Sequence, residues 1–302
     1  MPANHPIPLI LGPTGVGKTR VAYRLASLLG NAEIISADAR SIFKEMDIGT
    51  DKPSREWREA IPHHLIDCVE LDATYTAMDF RRDALRLIDE IHQRDHWAIV
   101  IGGTTLYVHV LTGKFFEGPS ADPELRRTLS ARPLDELYGE LKDIDPESAI
   151  RIHPHDEQRI VRALEVYQLT GVTISELQRR SEKPPHSLLK IGLTCDRKVL
   201  HERIDSRVDE MMKLGLLNEV QHLAQKISPD AQAYKSNGYK ELFNYLNGVW
   251  SLEEAIRKIK VNTHTHARRQ FIFFKRVPGI HWIDVTTRAP EDVVEEILRM
   301  IQ

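Results

Sequence analysis

The sequence predicts an α/β core with a parallel sheet, and three observations support this fold class. Short apolar runs separated by helical patterns are typical of buried parallel strands. The first run leads directly into a glycine-rich turn and a helix. A long middle segment has helical patterns but no clear strand. The predicted strands are residues 8–11, 33–38, 98–101 and 188–194, with a shorter one near 62–67.

The middle segment is predicted to be an all-helical insertion domain. Its helix candidates are residues 134–141, 146–152 and 156–169, and the last ends at Thr170-Gly171. The predicted domains are therefore a core of residues 1–113 and 188–302, which includes the C-terminal helices, and an insertion of residues 114–187.

The turn after the first strand has the spacing Gly-x4-Gly-Lys-Thr, which is the P-loop motif. Its glycines allow backbone N–H groups to surround phosphate oxygens, and the dipole of the next helix favours an anion. Lys18 adds a mobile positive charge, and the Thr19 hydroxyl can hold Mg²⁺. The core is therefore predicted to be P-loop NTPase-like. A chance glycine turn is the alternative. The motif leaves open whether the phosphates are transferred, hydrolysed or expelled. The predicted phosphate-binding residues are Gly12, Thr14, Gly15, Gly17, Lys18 and Thr19.

Composition limits the class of protein. The chain has 302 residues, 41% hydrophobic content and a formal net charge of −3, so RNA binding would require a local basic patch. Its two cysteines are too few for a disulfide framework or a Cys-x2-Cys zinc site. Residues 1–5 show no leader pattern, and no apolar run is long enough to span a membrane. We expect a soluble cytoplasmic protein that does not bind a membrane, and the sequence implies no protein partner.

Two strand ends carry candidate reactive groups. The second strand delivers Asp38 to the edge where ligands bind in open α/β sheets, although a helix-capping role is the alternative. The strand at 98–101 ends in Gly102-Gly103-Thr104, where P-loop NTPases commonly have an Asp that helps to hold Mg²⁺. This weakens an ATPase or GTPase assignment. The glycines would let the backbone approach a ligand closely, and Thr104 offers a hydroxyl; a simple turn remains equally open.

Basic side chains form two further patterns. Arg203 and Arg207 lie four residues apart, on one face of a predicted helix, which suits a diphosphate; pairing with Glu202 or Asp205 is the alternative. The segment 255–276 has seven Lys or Arg and no acid. Its helical spacing predicts an apolar stripe (Ile256, Ile259, Thr263, Ala267, Phe271 and Phe274) and a basic stripe (Arg257, His264, Arg268 and Lys275). The basic stripe fits phosphate contacts along RNA, although a solvated helix is a competing interpretation.

Several blocks in this order resemble the tRNA dimethylallyltransferase (tRNA isopentenyltransferase, IPP transferase) family of the bacterial type, over about residues 8–276. The blocks are the P-loop, Ser36-Ala37-Asp38, MDIGTDKP at 46–53, PHHLID at 62–67, GGTTLY at 102–107, and residues 151–166. The resemblance implies transfer of a dimethylallyl group from dimethylallyl diphosphate to N6 of adenosine 37, beside the anticodon of tRNA. Diphosphate is then the leaving group.

The resemblance also implies roles for individual residues. Asp38 would be the general base, Thr104 would orient a substrate group, and Arg207, with Arg203, would neutralise the departing diphosphate together with Lys18 and Mg²⁺ on Thr19. The target adenine must be extruded from the anticodon loop. The residues implied to grip the tRNA stem-loop are Arg159, Arg162, Arg257, His264, Arg268, Arg269 and Lys275.

The sequence departs from the family pattern near these positions. Ala39, Ser41 and Phe43 replace the usual Ser, Gln and Tyr, and Lys235 falls in another altered block. His264 and His266 replace the usual Arg and Tyr, and Phe273 replaces the usual Trp. Three alternatives stay open: an adenylate isopentenyltransferase, a small-molecule P-loop kinase, and a catalytically inactive RNA-binding module.

Overall fold

The computed structural model describes residues 5–113 and 115–301. Met1–Asn4, in the stretch where no leader is predicted, and Lys114, at the predicted insertion boundary, lie outside the described residues. The chain divides into two compact units: Met1–Leu111 with His186–Gln302, and Thr112–Pro185. The sequence predicts an insertion at 114–187, close to the second unit.

The first unit contains one six-stranded parallel sheet. Its strands are β1 Ile7–Leu11, β2 Ala32–Ala37, β3 His63–His64, β4 Trp97–Gly102, β5 Leu188–Thr194 and β6 His281–Asp284. They lie in the order β3-β2-β4-β1-β5-β6, and every pair of neighbours is parallel. The predicted α/β fold with a parallel sheet is therefore confirmed.

Strand β6 has no counterpart among the predicted strands. Its four residues, His-Trp-Ile-Asp, bury only Ile283, so they contain no continuous apolar run. An edge strand has a sheet neighbour on one side only, and a weak apolar pattern is enough to hold it.

Helices flank the sheet and form the second unit. They are α1 Lys18–Leu29, α2 Arg55–Ala60, α3 Ala77–Gln93, α4 Thr105–Thr112, α5 Pro123–Ser130, α6 Leu134–Ile144, α7 Pro146–Arg151, α8 Glu157–Thr170, α9 Ile174–Arg180, α10 Arg197–Lys213, α11 Leu216–Leu223, α12 Tyr239–Leu246, α13 Leu252–Phe274 and α14 Pro290–Ile301. Among the described residues, no helix has the length and apolar character that a membrane crossing requires.

Each unit has its own apolar core. In the first, Ile10 and Ile99 on one sheet face pack with Leu25 of α1 and Ile297 of α14. In the second, the predicted helices bury one face each around a cluster that includes Leu137, Leu141, Ile160 and Leu164. Helix α8 ends at Gly171, which has φ +70°, as the Thr170-Gly171 pair predicts.

The sheet register aligns the carboxyl ends of the central strands. Gly102 of β4 pairs with Leu11 of β1 on one side and with Ala37 of β2 on the other. The residues that follow these three positions therefore meet at one edge of the sheet.

Candidate active site

The loop between β1 and α1 has the backbone geometry of a P-loop. Gly12 has φ +150°, and a Cβ there would lie 2.6 Å from the carbonyl oxygen of Leu193. Gly17 has φ +100° and immediately precedes α1. Residues with a Cβ rarely adopt these angles, so both positions require glycine. The loop leads into the N-terminus of a 12-residue helix, whose unpaired N–H groups and dipole favour an anion.

Lys18 folds back onto this loop. Its Nζ donates hydrogen bonds to the carbonyl oxygens of Gly12, at 3.0 Å, and Pro13, at 2.9 Å. Burial lowers the pKa of Lys18 to about 8; Asp38 and Asp51 oppose this shift, whereas Arg207 adds to it. A bound phosphate would stabilise the charged form, so the pKa of this lysine is expected to rise when an anion binds.

The two arginines of α10 have different partners. Arg207 donates from Nη1 to the Thr14 hydroxyl at 3.1 Å, and its Nε lies 3.2 Å from the Asp51 carboxylate. Arg203 donates from Nη2 to the carbonyl oxygens of Val285 and Thr286, which follow β6. Arg207 therefore reaches the P-loop directly, whereas Arg203 holds the chain after β6, and its predicted role in diphosphate binding stays a prediction.

The MDIGTDKP block forms a loop that presents Asp51 to Arg207. The Glu219 carboxylate accepts hydrogen bonds from the backbone N–H groups of residues 47–49, and Tyr239 donates its hydroxyl to the same carboxylate at 2.6 Å. A Cβ at Gly49 would lie 2.5 Å from the Tyr239 ring, so this position has room only for glycine. The loop is thus held by α11 and α12.

Asp38 lies directly after β2, at the same sheet edge as the P-loop. Its Oδ1 accepts hydrogen bonds from the backbone N–H groups of Arg40, at 2.8 Å, and Ser41, at 3.3 Å. Oδ2 accepts no hydrogen bond from the residues that the structure describes. Asp38 therefore stabilises the turn after β2 and still has one carboxylate oxygen for a substrate. The helix-capping alternative is wrong, because the next helix along the chain is α2, which begins at Arg55.

Thr104 connects the ends of β2 and β4. Its Oγ1 accepts a hydrogen bond from the backbone N–H of Ala39 at 2.9 Å. Because the hydroxyl acts here as an acceptor, its own hydrogen remains available to a ligand. The contact also explains how Ala39 is tolerated, since the donor is the backbone rather than the side chain.

The Gly-Gly segment packs closely against neighbouring parts of the chain. A Cβ at Gly102 would lie 2.2 Å from the Ala37 carbonyl oxygen, and one at Gly103 would lie 2.5 Å from Nε2 of Gln270. Contacts within the protein are therefore enough to require glycine at both positions, and the approach of this segment to a ligand stays a prediction.

Gln270 of α13 joins two walls of the site. Its Oε1 accepts a hydrogen bond from the Thr14 backbone N–H at 2.8 Å, and its Nε2 donates to the Gly103 carbonyl oxygen at 2.8 Å. The residue is only 4% exposed. The predicted apolar stripe of this helix omitted Gln270 and included Phe271, which is only half-buried. A buried glutamine has no periodic signature of its own, so the sequence pattern could not identify it.

The basic face of α13 is largely exposed. Arg257, Arg268 and Arg269 are exposed, and Lys275 lies over the Phe271 ring at 4.6 Å. His264 is different: its ring stacks on His201 of α10 with centroids 4.0 Å apart, and its Nε2 lies 2.9 Å from the Asp205 carboxylate. His264 thus contributes to the packing between α10 and α13.

The predicted basic residues of the insertion also differ from each other. Arg159 is exposed and pairs with Asp156 at 3.3 Å. Arg162 donates to the carboxylate of the fully buried Glu165 at 2.6 Å and to the Pro119 carbonyl oxygen at 2.8 Å. Arg162 therefore has a clear structural role, and tRNA contact by either arginine stays a prediction.

The model of the IPP transferase family matches residues 41–277 of this chain. The chain therefore belongs to the IPP transferase family. It is 42% identical to a tRNA dimethylallyltransferase of Pelotomaculum thermopropionicum, over 98% of this chain and 96% of that protein. It is 44% identical to one of Thermomicrobium roseum, over 95% and 88% of the two chains.

Solved structures of the family have the same fold. The full-length tRNA isopentenylpyrophosphate transferase from Bacillus halodurans has a TM-score of 0.75 at 37% identity, covering 99% of this chain and 96% of that one. A eukaryotic dimethylallyltransferase, solved in the course of acting on tRNA, has a TM-score of 0.83 at 27% identity, covering 99% and 81%. The recognised family and the P-loop NTPase-like fold are confirmed.

Proposed function

We propose that this protein transfers the dimethylallyl group from dimethylallyl diphosphate to N6 of adenosine 37 of tRNA and releases diphosphate. The arrangement at the sheet edge supports this proposal. A P-loop with Lys18 and Arg207 can hold a diphosphate, and Asp38 and Thr104 lie at the ends of the adjacent strands. The strand that carries a metal-binding Asp in many P-loop enzymes ends here in Gly102-Gly103-Thr104.

Asp38 supplies the base for the acceptor. The exocyclic amine of adenine is a weak nucleophile because its lone pair is delocalised into the ring, so a proton must be removed as the C–N bond forms. The free Oδ2 can accept that proton, while Oδ1 keeps the carboxylate fixed to the turn after β2. Thr104, anchored by Ala39, orients the diphosphate or the amine with its free hydrogen.

Lys18, Arg207 and the P-loop amides stabilise the charge that develops on the departing diphosphate. Arg207 must exchange its contact with Asp51 for the phosphate, which needs only a side-chain movement. Arg203 contributes at longer range, because its Nη2 is bound to the chain after β6.

Mg²⁺ is the proposed cofactor, and the residues present fit it. The Thr19 hydroxyl has no hydrogen-bond partner among the described residues and lies in the first turn of α1. Residues 5–113 and 115–301 contain no cluster of three or more His, Cys, Asp or Glu side chains that could hold a metal ion. Mg²⁺ is commonly held by very few protein oxygens together with phosphate and water, so a single hydroxyl suffices. When bound, the ion would neutralise charge on the diphosphate.

The exposed cations of α13 are the proposed contacts to the tRNA backbone. Arg257, Arg268, Arg269 and Lys275 can neutralise phosphates without reading the sequence, and Arg159 adds a further cation on the helical unit. We propose weaker roles for Arg162 and His264, since both are bound within the protein. A tRNA-modifying enzyme of this kind would act in the cytoplasm.

Incubation with labelled dimethylallyl diphosphate and Mg²⁺ tests the proposed function. The acceptors are an anticodon stem-loop with adenosine at position 37, the same stem-loop with guanosine at that position, and AMP. We expect label only on the first. Exclusive labelling of AMP would show an adenylate isopentenyltransferase, a requirement for ATP would indicate a kinase, and RNA binding without label would indicate an inactive binding module.

A further inference from the structure

Asp51, in the MDIGTDKP loop, is an acidic residue beside the P-loop whose role the proposed reaction does not explain. Its Oδ2 lies 3.2 Å from Nε of Arg207, and Nη1 of the same guanidinium donates to the Thr14 hydroxyl at 3.1 Å. Arg207 is the only ion-pair partner of Asp51 in residues 5–113 and 115–301. One guanidinium therefore connects this carboxylate to the P-loop.

The loop holds the backbone of Asp51 in place. Its N–H donates to the Ile48 carbonyl oxygen at 3.0 Å, and its φ is +56°, an angle that Asp tolerates better than most residues do. The side chain of the next residue, Lys52, is only 2% exposed, and its Nζ donates to the Phe43 carbonyl oxygen at 2.8 Å. The Asp51 carboxylate can therefore move only by rotation of its own side chain, and it stays near the position of Arg207 seen here.

The ion pair between Asp51 and Arg207 contributes little to the fold. The Asp51 side chain is 58% exposed, and exposed ion pairs are usually weak because water screens the charges. Arg203, one turn earlier on α10, has backbone carbonyl oxygens as partners and no acid. The effect of Asp51 is therefore on the position and the charge of Arg207, the arginine that reaches the P-loop.

We infer that Asp51 is a positioning residue that competes with diphosphate for Arg207 and thereby promotes release of the product. This inference rests on the proposed function. In that reaction the bond between the allylic carbon and the diphosphate oxygen breaks, and its electron pair stays on the oxygen. Free diphosphate can therefore carry one more negative charge than dimethylallyl diphosphate. Arg207 would hold the product more tightly than the substrate, so a competing carboxylate weakens the binding of the product most.

The contacts of Arg207 show where the competition takes place. A guanidinium offers two edges for a bidentate contact to phosphate, and Nε belongs to one edge and Nη1 to the other. Nε faces Asp51 and Nη1 donates to Thr14, so each edge already has one donor engaged. The Thr14 hydroxyl is neutral and is easily replaced by a phosphate oxygen. Asp51 is an anion like the phosphate, and it competes for the same donors.

Asp51→Asn tests the inference by calorimetric titration with Mg²⁺ and without tRNA, so that no transfer occurs. This substitution keeps the size of the side chain and removes its charge. We expect inorganic diphosphate to bind about tenfold more tightly than to the wild-type protein, and dimethylallyl diphosphate only about twofold to threefold more tightly. The matched control is Glu210→Gln, because Glu210 lies three residues after Arg207 on α10 but pairs with Lys213, at 3.7 Å. The control should change either affinity by less than about twofold.

A second variant shows whether Asp51 acts through Arg207. In an Arg207→Gln background, Asp51→Asn should no longer tighten diphosphate binding, since the guanidinium that both anions compete for is absent. The inference is wrong if Asp51→Asn binds diphosphate no more tightly than wild type, if both ligands gain equally, or if the gain persists without Arg207. A lower melting temperature with weaker binding of both ligands would show a structural role and would also overturn it. Failure of the wild-type protein to label any stem-loop would instead contradict the proposed function, and the titrations do not depend on that result.

Discussion

Strand β2 has a carboxylate at each end, and the two differ in how completely they are bonded. Glu33, in its second position, is 4% exposed and accepts hydrogen bonds from His64, Arg94 and His96. Asp38, just past the other end, uses one oxygen for the backbone and leaves the other open. A saturated carboxylate holds neighbouring elements together, whereas a half-saturated one at the ligand edge can take part in a reaction.

The largest expected effect is that of Asp38→Asn on prenyl transfer. The amide oxygen can still accept the two backbone hydrogen bonds, so the turn should persist, but the base is lost. We expect kcat/KM to fall about a thousandfold, with the melting temperature nearly unchanged. Steady-state kinetics and a thermal melt check this together. Unchanged transfer would rule out Asp38 as the base.

The matched variant at the other end is Glu33→Gln, for which the effects should be reversed. Loss of the charge leaves Arg94 and both histidines with a poorer acceptor, and we expect about 2–3 kcal/mol lower stability. Prenyl transfer well below the melting temperature should be nearly normal. A large loss of activity in a folded Glu33→Gln protein would contradict the claim that Glu33 has a structural role and Asp38 a catalytic one.

The contribution of Glu33 to stability should depend on pH and decrease in acid. Burial alone would raise the pKa of Glu33, but its hydrogen bonds from His64, Arg94 and His96 lower it below the usual 4.5. The stabilisation is thus complete above the unfolded pKa and is lost as pH falls through the folded one. Urea melts between pH 3 and 6 should show the wild-type advantage over Glu33→Gln shrinking toward acid. An advantage independent of pH would contradict this.

Gln270 is a second residue whose side-chain oxygen and nitrogen both have hydrogen-bond partners. Its replacement should weaken diphosphate binding at the active site rather than RNA binding. Gln270→Leu leaves the Thr14 N–H and the Gly103 carbonyl unpaired, and we expect inorganic diphosphate to bind about tenfold more weakly. Arg268→Ala, on the exposed side of the same helix, should leave diphosphate binding unchanged. It should instead weaken RNA binding and reduce its salt dependence by about one phosphate contact. Calorimetric titration of each variant with diphosphate and with RNA distinguishes the two roles. If the two variants weakened both ligands equally, the proposed difference between Gln270 and Arg268 would be wrong.

The smallest expected effect is on diphosphate binding at alkaline pH. Because the pKa of Lys18 is about 8 in the free protein, this side chain loses its charge as pH rises above that value. Diphosphate affinity should weaken through pH 8–9, and binding near pH 8 should take up a proton. Titration in buffers of different ionisation enthalpy measures that proton. Lys18→Met should bind weakly with no uptake, whereas uptake by this variant would assign the proton to another group.

Apolar runs and short sequence motifs were enough to predict the α/β fold and several residues of the candidate active site. The P-loop, Asp38 and Thr104 each follow an apolar run. If these runs are parallel strands, the residues after them lie at the same edge of the sheet. The contacts that complete the site could not be predicted in this way. Gln270 and Thr14 are 256 residues apart, and nothing local marks that hydrogen bond. Spacing on α10 placed Arg203 beside Arg207, but the chain after β6 provides Arg203 with other partners.

Mass spectrometry of nucleosides from tRNA treated with the protein, dimethylallyl diphosphate and Mg²⁺ tests the central claim most directly. We expect one adenosine, next to the anticodon, to gain a dimethylallyl group on N6 with the wild-type protein and not with Asp38→Asn. Unmodified tRNA after treatment with folded wild-type protein, or a prenyl group at any other position, would contradict the account.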